Sequence, residues 1–595
     1  MSRKATQRPT AQREQPDLLK AVLERTRTPE FTSYVKNLLV ELCRIDSTPN
    51  PDVSRMREAE DRCFKIIERE LGSTPLPGLE LVRHPVNPEI EKHPYFSLLH
   101  FTKTPDRPRG LSPADTYAGR SNLLCRIPGA KIPKKGGKSV ALNAHVDVVA
   151  PYFPPTVKGG TIFGRGSCDD KGPVVSFIGA LKVLGSVLAE AGIQPNRNIL
   201  AMFVVEEETG GNGSLSLALD RKLKAEYDSI LVGECTGLKI HPANRGAVWY
   251  RAELHPPPGI PPFELFAFVN EELEKEGLSI RAESHHPLFP QRPVQTCHGI
   301  IGPFGEHPSR ICGLVSFTIS FEGGLNAATQ RLAGDCLQSG LTGYIGAYGD
   351  KTGTIDPATG EPLVKQHYTV AKKGRELLVT VYGATGHMGA TRERDGAITK
   401  MAHLVRSLVF SKARLESVSG GAVHMDLSGA KAATTLLLEG GQGFVPTHEM
   451  EEVMARMRQA AEAGAEVYLR RKGCPAPGKD VVLIAYEKLH NVAFDGDPDS
   501  FSMRNALAAA KACGLPEQQP VLGWTVSCDS RLFAKEYPGL EVLTFGPGLL
   551  ADAHSDHERV ELDDIRASAE FVAAFILNQT QTTPNRKTAA KSSAK

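Results

Sequence analysis

The amino-acid sequence predicts an α/β protein in which one α/β domain is split by a smaller α+β domain. Three observations indicate this fold class. Strand-like apolar runs alternate with helix-like stretches up to residue 250, the alternation is lost over 251–375, and it returns after about residue 490. We therefore expect a mostly parallel sheet flanked by helices. A chain of 595 residues is also too long for one hydrophobic core, which agrees with several domains.

The first segment of the α/β domain begins with helices and continues into strands that end in acids. Apolar residues at helical spacing run from Pro29 to Leu71, and SVALNAHVDVV is typical of a buried strand. The stretch GPVVSFIGALKVLGSVLAEAG predicts a helix that ends at Gly192. RNILAMFVVEEE and YDSILVGE predict two further strands. Strands that alternate with helices in this way favour an α/β sheet.

The middle of the chain has a different character. Prolines in PPPGIPPF and HHPLFPQRP break regular structure within 251–375. Beyond this insert, ELLVTVYG and TTLLLEGG are strand-like, and helices are predicted near 395–410 and 447–471. From about residue 490, SMRNALAAAKACG predicts a helix, and LEVLTFGPG predicts a strand with a Gly-rich loop. No internal repeat is visible.

These boundaries divide the chain into six segments. The split α/β domain is expected at 17–250 and 488–578, the insert at 251–375, and the smaller α+β domain at 376–487. The polar ends, 1–16 and 579–595, are predicted to be disordered tails. Contact of these tails with nucleic acid or an anionic surface is the alternative interpretation.

The composition excludes several classes of protein. Lys and Arg (70) nearly balance Asp and Glu (68), whereas a nucleic-acid-binding body needs a basic face. The eleven cysteines are scattered without a Cys-x-x-Cys pair, so neither a disulfide framework nor a thiolate zinc site is indicated. The N-terminus lacks the apolar run of a secretory signal, and no stretch approaches the ~20 apolar residues of a membrane helix. We expect a cytoplasmic protein with reduced thiols and no nucleic-acid or membrane partner.

Histidine and acidic side chains follow the predicted strands, at the edge where α/β sheets bind ligands. They are His145, Asp147, Asp169, Glu206, Glu207, Glu208 and Glu234. Each alone has an ordinary interpretation. A lone histidine in a strand is usually a core residue, a run of glutamates is usually solvated, and Asp169 with Asp170 could cap the following helix. Together, however, carboxylates at one sheet edge would repel one another unless bound cations compensate them.

The side-chain types indicate which cations fit. Imidazole and carboxylate groups without thiolates suit zinc, cobalt or manganese. The spacing His145-x-Asp147 also places a carboxylate near the imidazole, where it can hold the second ring nitrogen or orient catalytic groups. The residues therefore predict a transition-metal site at this edge of the sheet.

Six motifs occur in the order found in a known family. They are ALNAHVDVV, FGRGSCDDKG, VVEEETGGNGS, VGECT, GATGHMGATRERDGAI and AHSDHERVEL. Their order resembles that of the dinuclear zinc exopeptidases and deacylases. This family includes glutamate carboxypeptidase, succinyl-diaminopimelate desuccinylase, acetylornithine deacetylase, aminoacylase and carnosinase-type dipeptidases. The resemblance covers roughly residues 30–250 and 376–575.

The resemblance implies a role for each matching residue. The ligands of two divalent metal ions, zinc or alternatively cobalt or manganese, match His145, Asp169, Glu208, Glu234 and His554. Asp169 would contact both ions. Glu207 resembles the general base, and Asp147 resembles the aspartate that supports the site. His387 resembles the histidine that reaches a partner subunit's active site, which implies a homodimer and a lid/dimerisation role for 376–487.

Two features depart from the family's pattern or leave it ambiguous. The three glutamates of VVEEETGG allow two registers, and the following TGGNGS favours Glu207 as base and Glu208 as ligand, with Glu206 in the preceding position. In addition, over a hundred residues separate NRGAVWYRAEL from ELLVTVYGATGH, where relatives pass directly. This insert puts the dimer geometry of the lid and the shape of the substrate pocket in question.

The predicted function is hydrolysis of an amide or peptide bond in a small carboxylate-bearing substrate. Glu207 would take a proton from a metal-activated water, and His387 would donate to the developing oxyanion. An N-acyl amino acid deacylase and a carbamoyl-amidohydrolase are alternatives within the same chemistry. Outside enzymes the alternative is a catalytically silent binding relative, which the intact ligand set disfavours. No Gly-x-Ser-x-Gly of a serine hydrolase occurs, and GPGLLA is only a weak dinucleotide-like match.

The insert at 251–375 has two interpretations. It narrows the entrance so that only small substrates enter, since long connections of this kind tend to be functional covers, or it decorates the lid without a role in selectivity. Its His285-His286 and Cys297-His298 pairs invite a second metal site, but no zinc-finger spacing accompanies them.

Overall fold

A computed structural model of the protein describes residues 17–130, 136–355, 360–386 and 395–584. Up to residue 233 the helices are α1 (Leu18–Thr26), α2 (Pro29–Cys43), α3 (Val53–Gly72), α4 (Pro113–Tyr117), α5 (Lys171–Ala191) and α6 (Asn212–Ala218). The strands in this part are β1 (Glu80–Pro85), β2 (Ser121–Ile127), β3 (Val140–His145), β4 (Thr156–Lys158), β5 (Thr161–Phe163), β6 (Ile193–Pro195), β7 (Ile199–Val204) and β8 (Ser229–Gly233).

The middle and last parts of the chain contribute the remaining elements. Between 246 and 491 these are β9 (Gly246–Leu254), α7 (Pro262–Glu283), β10 (Thr296–Ile301), β11 (Leu314–Phe321), α8 (Ala327–Tyr348), β12 (Tyr368–Lys373), β13 (Glu376–Tyr382), α9 (Ala397–Phe410), α10 (Lys412–Ser419), β14 (Val423–Leu427), β15 (Leu436–Phe444), α11 (Met450–Arg471) and β16 (Val482–Asn491). After residue 500 they are α12 (Phe501–Cys513), α13 (Ser530–Glu536), β17 (Glu541–Phe545), β18 (Arg559–Glu561), α14 (Leu562–Thr580) and β19 (Thr582–Pro584).

The first and last parts build one six-stranded sheet in the order β1-β2-β7-β3-β8-β17. Strands β7, β3, β8 and β17 run parallel, whereas β1 and β2 pair in antiparallel fashion. Since β17 comes from the end of the chain, one α/β domain is assembled from two separate segments. The predicted α/β fold class is confirmed, and the centre of the sheet is parallel as expected.

Helices cover both faces of this sheet, because successive side chains of a strand point to opposite faces. Phe203 of β7 belongs to the same core as Phe177 of α5 and Phe571 of α14. Its neighbour Met202 belongs to a second core, together with Phe533 of α13. Burial on both faces explains why the central strands are continuous apolar runs in the sequence. It also leaves the carboxyl ends of the parallel strands as the edge where polar side chains can gather.

Helix α5 has almost the bounds that the sequence predicts and ends at Gly192 as expected, but it is more apolar than expected. Among the described residues it is the one helix that is long and apolar enough, by length and composition, to cross a membrane. The prediction that no stretch approaches this composition was therefore wrong. In the structure 72% of its most apolar window is buried inside the protein, where the helix packs against α14 and α2. A helix covered on several sides is expected to be apolar all round.

Residues 246–491 form two four-stranded antiparallel sheets with the same connection order. The outer unit consists of β9, α7, β10, β15, α11 and β16, with the sheet order β10-β15-β9-β16. The inner unit lies between β10 and β15 in the chain and has the sheet order β12-β13-β11-β14. In both units the first strand lies between the third and the fourth. The two units repeat the order in which their strands pair, and not a pattern of residues. This repeat is therefore not visible in the sequence.

The two units share one hydrophobic core, and their helices α7 and α9 pack together. Thr399 of α9 donates a hydrogen bond to Glu274 of α7 at 3.0 Å, and Arg406 forms an ion pair with Glu271. The predicted boundary near residue 375 falls in the turn between β12 and β13, which pair with each other. The segment 251–375 thus contributes strands and helices to both units.

Candidate metal centre

Two clusters of buried ligand-type side chains meet at the carboxyl edge of the parallel strands. The first contains His145, Asp169, Asp170 and Glu234, and the second contains Asp169, Glu208 and His554. Within each cluster the potential ligand atoms lie within 4.8 Å of one another. The structure therefore brings together all five residues that the family resemblance implies as ligands, from positions as far apart as 145 and 554. Asp170 joins them, although the sequence analysis considered it only as a helix cap.

Asp169 belongs to both clusters, and its two oxygens face different histidines. Its Oδ1 lies 3.2 Å from Nε2 of His145, and its Oδ2 lies 3.2 Å from Nε2 of His554. Nε2 of His554 is also 3.1 Å from the Glu208 carboxylate. A carboxylate that divides its oxygens between two ligand sets has the arrangement needed to bridge two cations.

The loop that carries Asp169 is held by Glu558, a residue that the sequence analysis missed. Oε1 of Glu558 accepts hydrogen bonds from the backbone N–H groups of Gly166, Cys168 and Asp169 at 2.8, 3.1 and 3.2 Å. Its other oxygen pairs with Arg165, and both side chains are fully buried. Both residues lie within recognised motifs, yet nearly 400 positions separate them, and no spacing rule links them.

Asp147 fixes the turn after β7. Its two carboxylate oxygens accept hydrogen bonds from the backbone N–H groups of Glu207 and Glu208, at 3.2 and 3.0 Å. Its backbone carbonyl lies 3.0 Å from Nδ1 of His145, so this imidazole directs Nε2 towards Asp169. These contacts support the site without placing the Asp147 carboxylate in either cluster.

Glu206 points away from both clusters and has partners of its own. Its carboxylate accepts a hydrogen bond from the Tyr117 hydroxyl at 2.8 Å and pairs with Arg120. Arg120 in turn bonds Glu60, with Nε donating at 3.0 Å. The backbone of Glu206 is in the left-handed region, with φ of 63°, a conformation that tends to occur at functional sites. Because Glu206 is neutralised by protein and Glu208 lies in a cluster, the geometry supports the register chosen from the sequence.

Glu207 lies between these two neighbours and belongs to neither cluster. The residue as a whole is partly exposed, but its carboxyl group is surrounded by protein. Burial of the carboxyl group, then the negative charges of Asp529 and Glu208, raise the pKa of Glu207 well above its usual range. Asp529 is buried, with neither oxygen hydrogen-bonded, and the sequence offered no pattern that would single it out.

The clusters carry more negative charge than their histidines can compensate. Burial and neighbouring carboxylates raise the pKa of Glu234 and of Asp170 well above their usual range. Burial works to lower the pKa of His554, but Glu208 and Asp169 outweigh it and raise that pKa to about 10. Buried like charges of this kind are stable when cations neutralise them. Carboxylate oxygens and imidazole nitrogens without a thiolate fit divalent transition metals.

Residues of the inserted segment reach this centre within the same chain. Arg310 donates from Nε to the backbone carbonyl of His554 at 3.0 Å and forms an ion pair with Asp556. Oγ of Ser309 lies 3.4 Å from Nδ1 of His554. Arg310 and Asp556 also line a cleft of about 950 Å³ between the inner unit and the loop 551–557. Neither Ser309 nor Arg310 was predicted, because their proximity to His554 depends on how the lid folds over the sheet.

The remaining predicted residues divide into two groups. His387 lies outside the described residues, as do the tail 1–16 and, of the tail predicted at 579–595, residues 585–595. The predicted start of this tail at residue 579 was wrong, because α14 continues to Thr580 and β19 follows it. His298 lies within the outer unit, where its ring contacts the Tyr250 hydroxyl at 2.9 Å and the Asn270 side chain at 3.0 Å. In the described ranges no ligand cluster includes His285, His286 or His298.

The sequence is similar to a known protein family and to curated proteins. The model of Peptidase family M20/M25/M40 matches residues 141–578. A Peptidase M20 domain-containing protein of Schizosaccharomyces pombe is 36% identical over 107 residues, which are 18% of this chain and 25% of that protein. The match thus spans about a quarter of the length of this curated relative.

Solved structures show the same fold. Human carnosine dipeptidase 1 is similar with a TM-score of 0.54 and 12% identity, over 95% of this chain and 100% of that one. The di-peptidase Dug1p from Saccharomyces cerevisiae is similar with a TM-score of 0.55 and 12% identity, over 95% and 98% of the two chains. At this identity the likeness concerns the fold alone. The family match over most of the chain shows that the protein belongs to Peptidase family M20/M25/M40.

Proposed function

We propose that the protein is a metal-dependent hydrolase of amide or peptide bonds in small, carboxylate-bearing substrates. Its two divalent ions, zinc by preference, would be held by His145, Asp169, Glu208, Glu234 and His554. The observation that carries this proposal is the position of Asp169, whose two oxygens face the two histidines at 3.2 Å each. Membership of Peptidase family M20/M25/M40 supports the same reaction class.

The chain's own residues have distinct roles in this mechanism. When bound, a pair of divalent ions polarises the scissile carbonyl and lowers the pKa of water. Glu207 takes the proton of the attacking water and passes it to the leaving nitrogen, a step typically worth ~10²–10⁴-fold in rate. Asp147 holds the backbone of Glu207 in place through its hydrogen bonds. Glu558 holds the loop of Asp169.

We propose dipeptides as the first substrate class to test, because the two similar solved structures are named as dipeptidases. Deacylation of N-acyl amino acids and hydrolysis of carbamoyl groups use the same bond chemistry and are alternative outcomes of the same test. A homodimer, in which His387 acts on the partner's site, also remains a proposal. A cytoplasmic location is supported by eleven cysteines that are all free, as expected of a reducing compartment.

The test combines metal analysis with a substrate screen. Purified protein should contain close to two transition-metal ions per chain, and a chelator should abolish hydrolysis that zinc, cobalt or manganese restores. The screen compares dipeptides, N-acetyl amino acids and N-carbamoyl amino acids. Protein that binds no metal, and that none of these metals activates, would contradict the proposal.

A further inference from the structure

The loop between β10 and β11 joins the outer unit of the lid to the inner unit. It comprises residues 302–313, and we call it the connecting loop. Ser309 and Arg310 of this loop are only 5% and 7% exposed, although loops normally run over the surface. Both side chains contact His554, one the ring and the other the backbone. The connecting loop is therefore packed against the metal centre.

A glycine of β10 allows the connecting loop to lie close to the outer sheet. Gly299 lies where the pairing of β10 with β15 shifts register. A Cβ at this position would lie 2.2 Å from the backbone oxygen of His307 and 2.8 Å from Cα of Pro308. Glycine in a strand often marks such a close approach of another backbone segment. The outer unit thus determines where residues 307 and 308 lie, directly before Ser309.

The hydrogen bonds of Ser309 have one possible direction. Its backbone N–H, which can only donate, lies 3.2 Å from Nδ1 of His307, so this nitrogen is an acceptor. The Ser309 hydroxyl lies 2.6 Å from the same nitrogen and donates its one hydrogen to it. Towards Nδ1 of His554, at 3.4 Å, the hydroxyl oxygen can then only accept. Nδ1 of His554 therefore carries a hydrogen.

This direction prepares Nε2 of His554 to bind a metal ion. A histidine ligand is a neutral imidazole, and with its hydrogen on Nδ1 the free lone pair lies on Nε2. Nε2 lies 3.2 Å from Asp169 and 3.1 Å from Glu208, where a cation would be shared by all three groups. The second ring nitrogen of a metal-ligating histidine almost always has a hydrogen-bond partner. For His554 the connecting loop supplies it.

The backbone of His554 is held by the next residue of the connecting loop. Its φ is 59°, in the left-handed region, which a residue other than glycine keeps only where surrounding contacts enforce it. Nε of Arg310 donates to the His554 carbonyl at 3.0 Å. Arg310 is itself held by ion pairs with Glu306 and Asp556. Consecutive residues of one loop thus hold both the ring and the backbone of His554.

We propose that Ser309 and Arg310 are positioning residues for His554, so that the second cluster binds its metal ion tightly only when the connecting loop is in place. This inference rests on the proposed metal centre and concerns the cluster of Asp169, Glu208 and His554. The histidine of the first cluster is oriented differently, because Nδ1 of His145 lies 3.0 Å from the Asp147 carbonyl. The connecting loop should therefore affect one ion and not the other.

The experiment measures metal binding without turnover. Full-length, chelator-treated protein is titrated with Co²⁺, followed by calorimetry and by the visible absorption of the bound cobalt. Wild-type protein should bind two ions. Ser309→Ala should weaken one of them by about 10–100-fold, as is usual when a metal-ligating histidine loses its partner, and should change the cobalt spectrum. Ser309→Thr keeps the hydroxyl and should restore most of the affinity.

A second background identifies the ion that responds. Glu208→Gln should remove the ion of the second cluster and leave that of the first. Adding Ser309→Ala to Glu208→Gln should then have no further effect on the remaining ion, whereas a general loss of structure would weaken it.

Ser419 provides a matched control. It is a serine of the inner unit with 6% exposure, and its hydroxyl bonds the nearby carbonyls of Glu416 and Gly421. Ser419→Ala should bind both ions as tightly as wild-type protein. Circular dichroism checks the folding of each variant. If Ser309→Ala does not fold, Arg310→Lys decides in its place, because lysine keeps a cation beside Asp556 but lacks the second donor for the His554 carbonyl.

Three results would overturn the inference. They are wild-type affinity for both ions in folded Ser309→Ala, an equal loss of both ions in that variant, and no recovery in Ser309→Thr. Wild-type protein that binds no cobalt would contradict the proposed metal centre and this inference together. Protein in which one ion responds as expected, but which cleaves nothing in the substrate screen, would contradict the hydrolase proposal alone.

Discussion

The carboxyl edge of the main sheet and the start of β9 have opposite electrostatic deficits. At the sheet edge, Asp169 and Glu208 share His554 within buried clusters in which carboxylates outnumber imidazoles. At the start of β9, Arg245 is 1% exposed, and in the described part of the chain no carboxylate forms an ion pair with its guanidinium. The first region thus lacks cations, and the second lacks an anion.

The same protein also shows how it neutralises buried charge when no ligand is involved. Arg120 lies between Glu60 and Glu206, and all three side chains are buried and paired. One member of this triad, Glu206, directly precedes Glu207 and Glu208 in the sequence. Buried charge alone is therefore a poor sign of function here. What distinguishes the candidate metal centre is negative charge that the chain's own cations do not compensate.

The largest effect on activity is expected from substitution of Glu207, which follows Glu206 in the sequence. Glu207→Gln should keep its metal but lose about 10²–10⁴-fold in kcat, because an amide cannot accept the proton of water. Glu208→Gln should instead lower the metal content, because Glu208 lies in the second cluster. Metal analysis and steady-state kinetics on both variants separate these effects. If the two phenotypes are exchanged, the register is wrong by one residue.

A second prediction concerns the compensated triad. Arg120→Met leaves Glu60 and Glu206 buried without their cation, so we expect a loss of about 3–5 kcal/mol in the free energy of unfolding. Denaturant titration measures this loss. Arg470→Met serves as the control, because Arg470 and its ion-pair partner Glu466 are 66% and 44% exposed, and it should change stability by no more than about 0.5 kcal/mol.

The loss of stability in Arg120→Met should depend on pH, and the direction of this dependence follows from the pKa of Glu60. Burial already raises the pKa of Glu60 despite Arg120, and removal of Arg120 should raise it further. A carboxyl group whose folded-state pKa is raised loses its stabilising contribution as pH rises through that pKa. The variant should therefore be less destabilised near pH 5 than near pH 8. An equal loss at both values would contradict the assignment of the effect to the uncompensated carboxylates.

Sequence patterns were sufficient to predict that these residues lie together at the sheet edge, because each predicted ligand follows a strand or lies in a recognised motif. His145, Glu208 and Glu234 lie at strand ends, where an α/β sheet gathers polar groups whatever the details of packing. Glu558 and Arg310 were missed because their roles arise from contacts across hundreds of residues. The twofold repetition of the lid was missed for the same reason, since it consists of strand pairing and not of recurring residues.

A third prediction tests whether the His387 and the Glu207 of one active site come from the same chain or from two chains. Arg310 contacts His554 within the same chain, whereas the family resemblance implies that His387 acts on a partner. Mixing inactive His387→Ala protein with inactive Glu207→Gln protein should restore up to about a quarter of wild-type activity in a dimer. Half of the dimers would contain one subunit of each variant. Each of these mixed dimers would have one complete site out of two. Confirmed mixed dimers without activity would place His387 in its own subunit's site.

The smallest effect is expected from the length of the substrate. The inner unit approaches the metal centre through Arg310 and its ion pair with Asp556, and the Thr385 hydroxyl lies 3.4 Å from the same carboxylate. These contacts hold the inner unit against the loop that carries His554, and we expect them to narrow the space beside a bound substrate. We expect kcat/KM for a dipeptide to exceed, by several-fold, that for a longer peptide with the same terminal residues. Asp556→Asn should reduce this difference, because it weakens the ion pair with Arg310 without removing any proposed metal ligand. Equal efficiency on both peptides would contradict this expectation and would mean that the inserted segment only enlarges the lid.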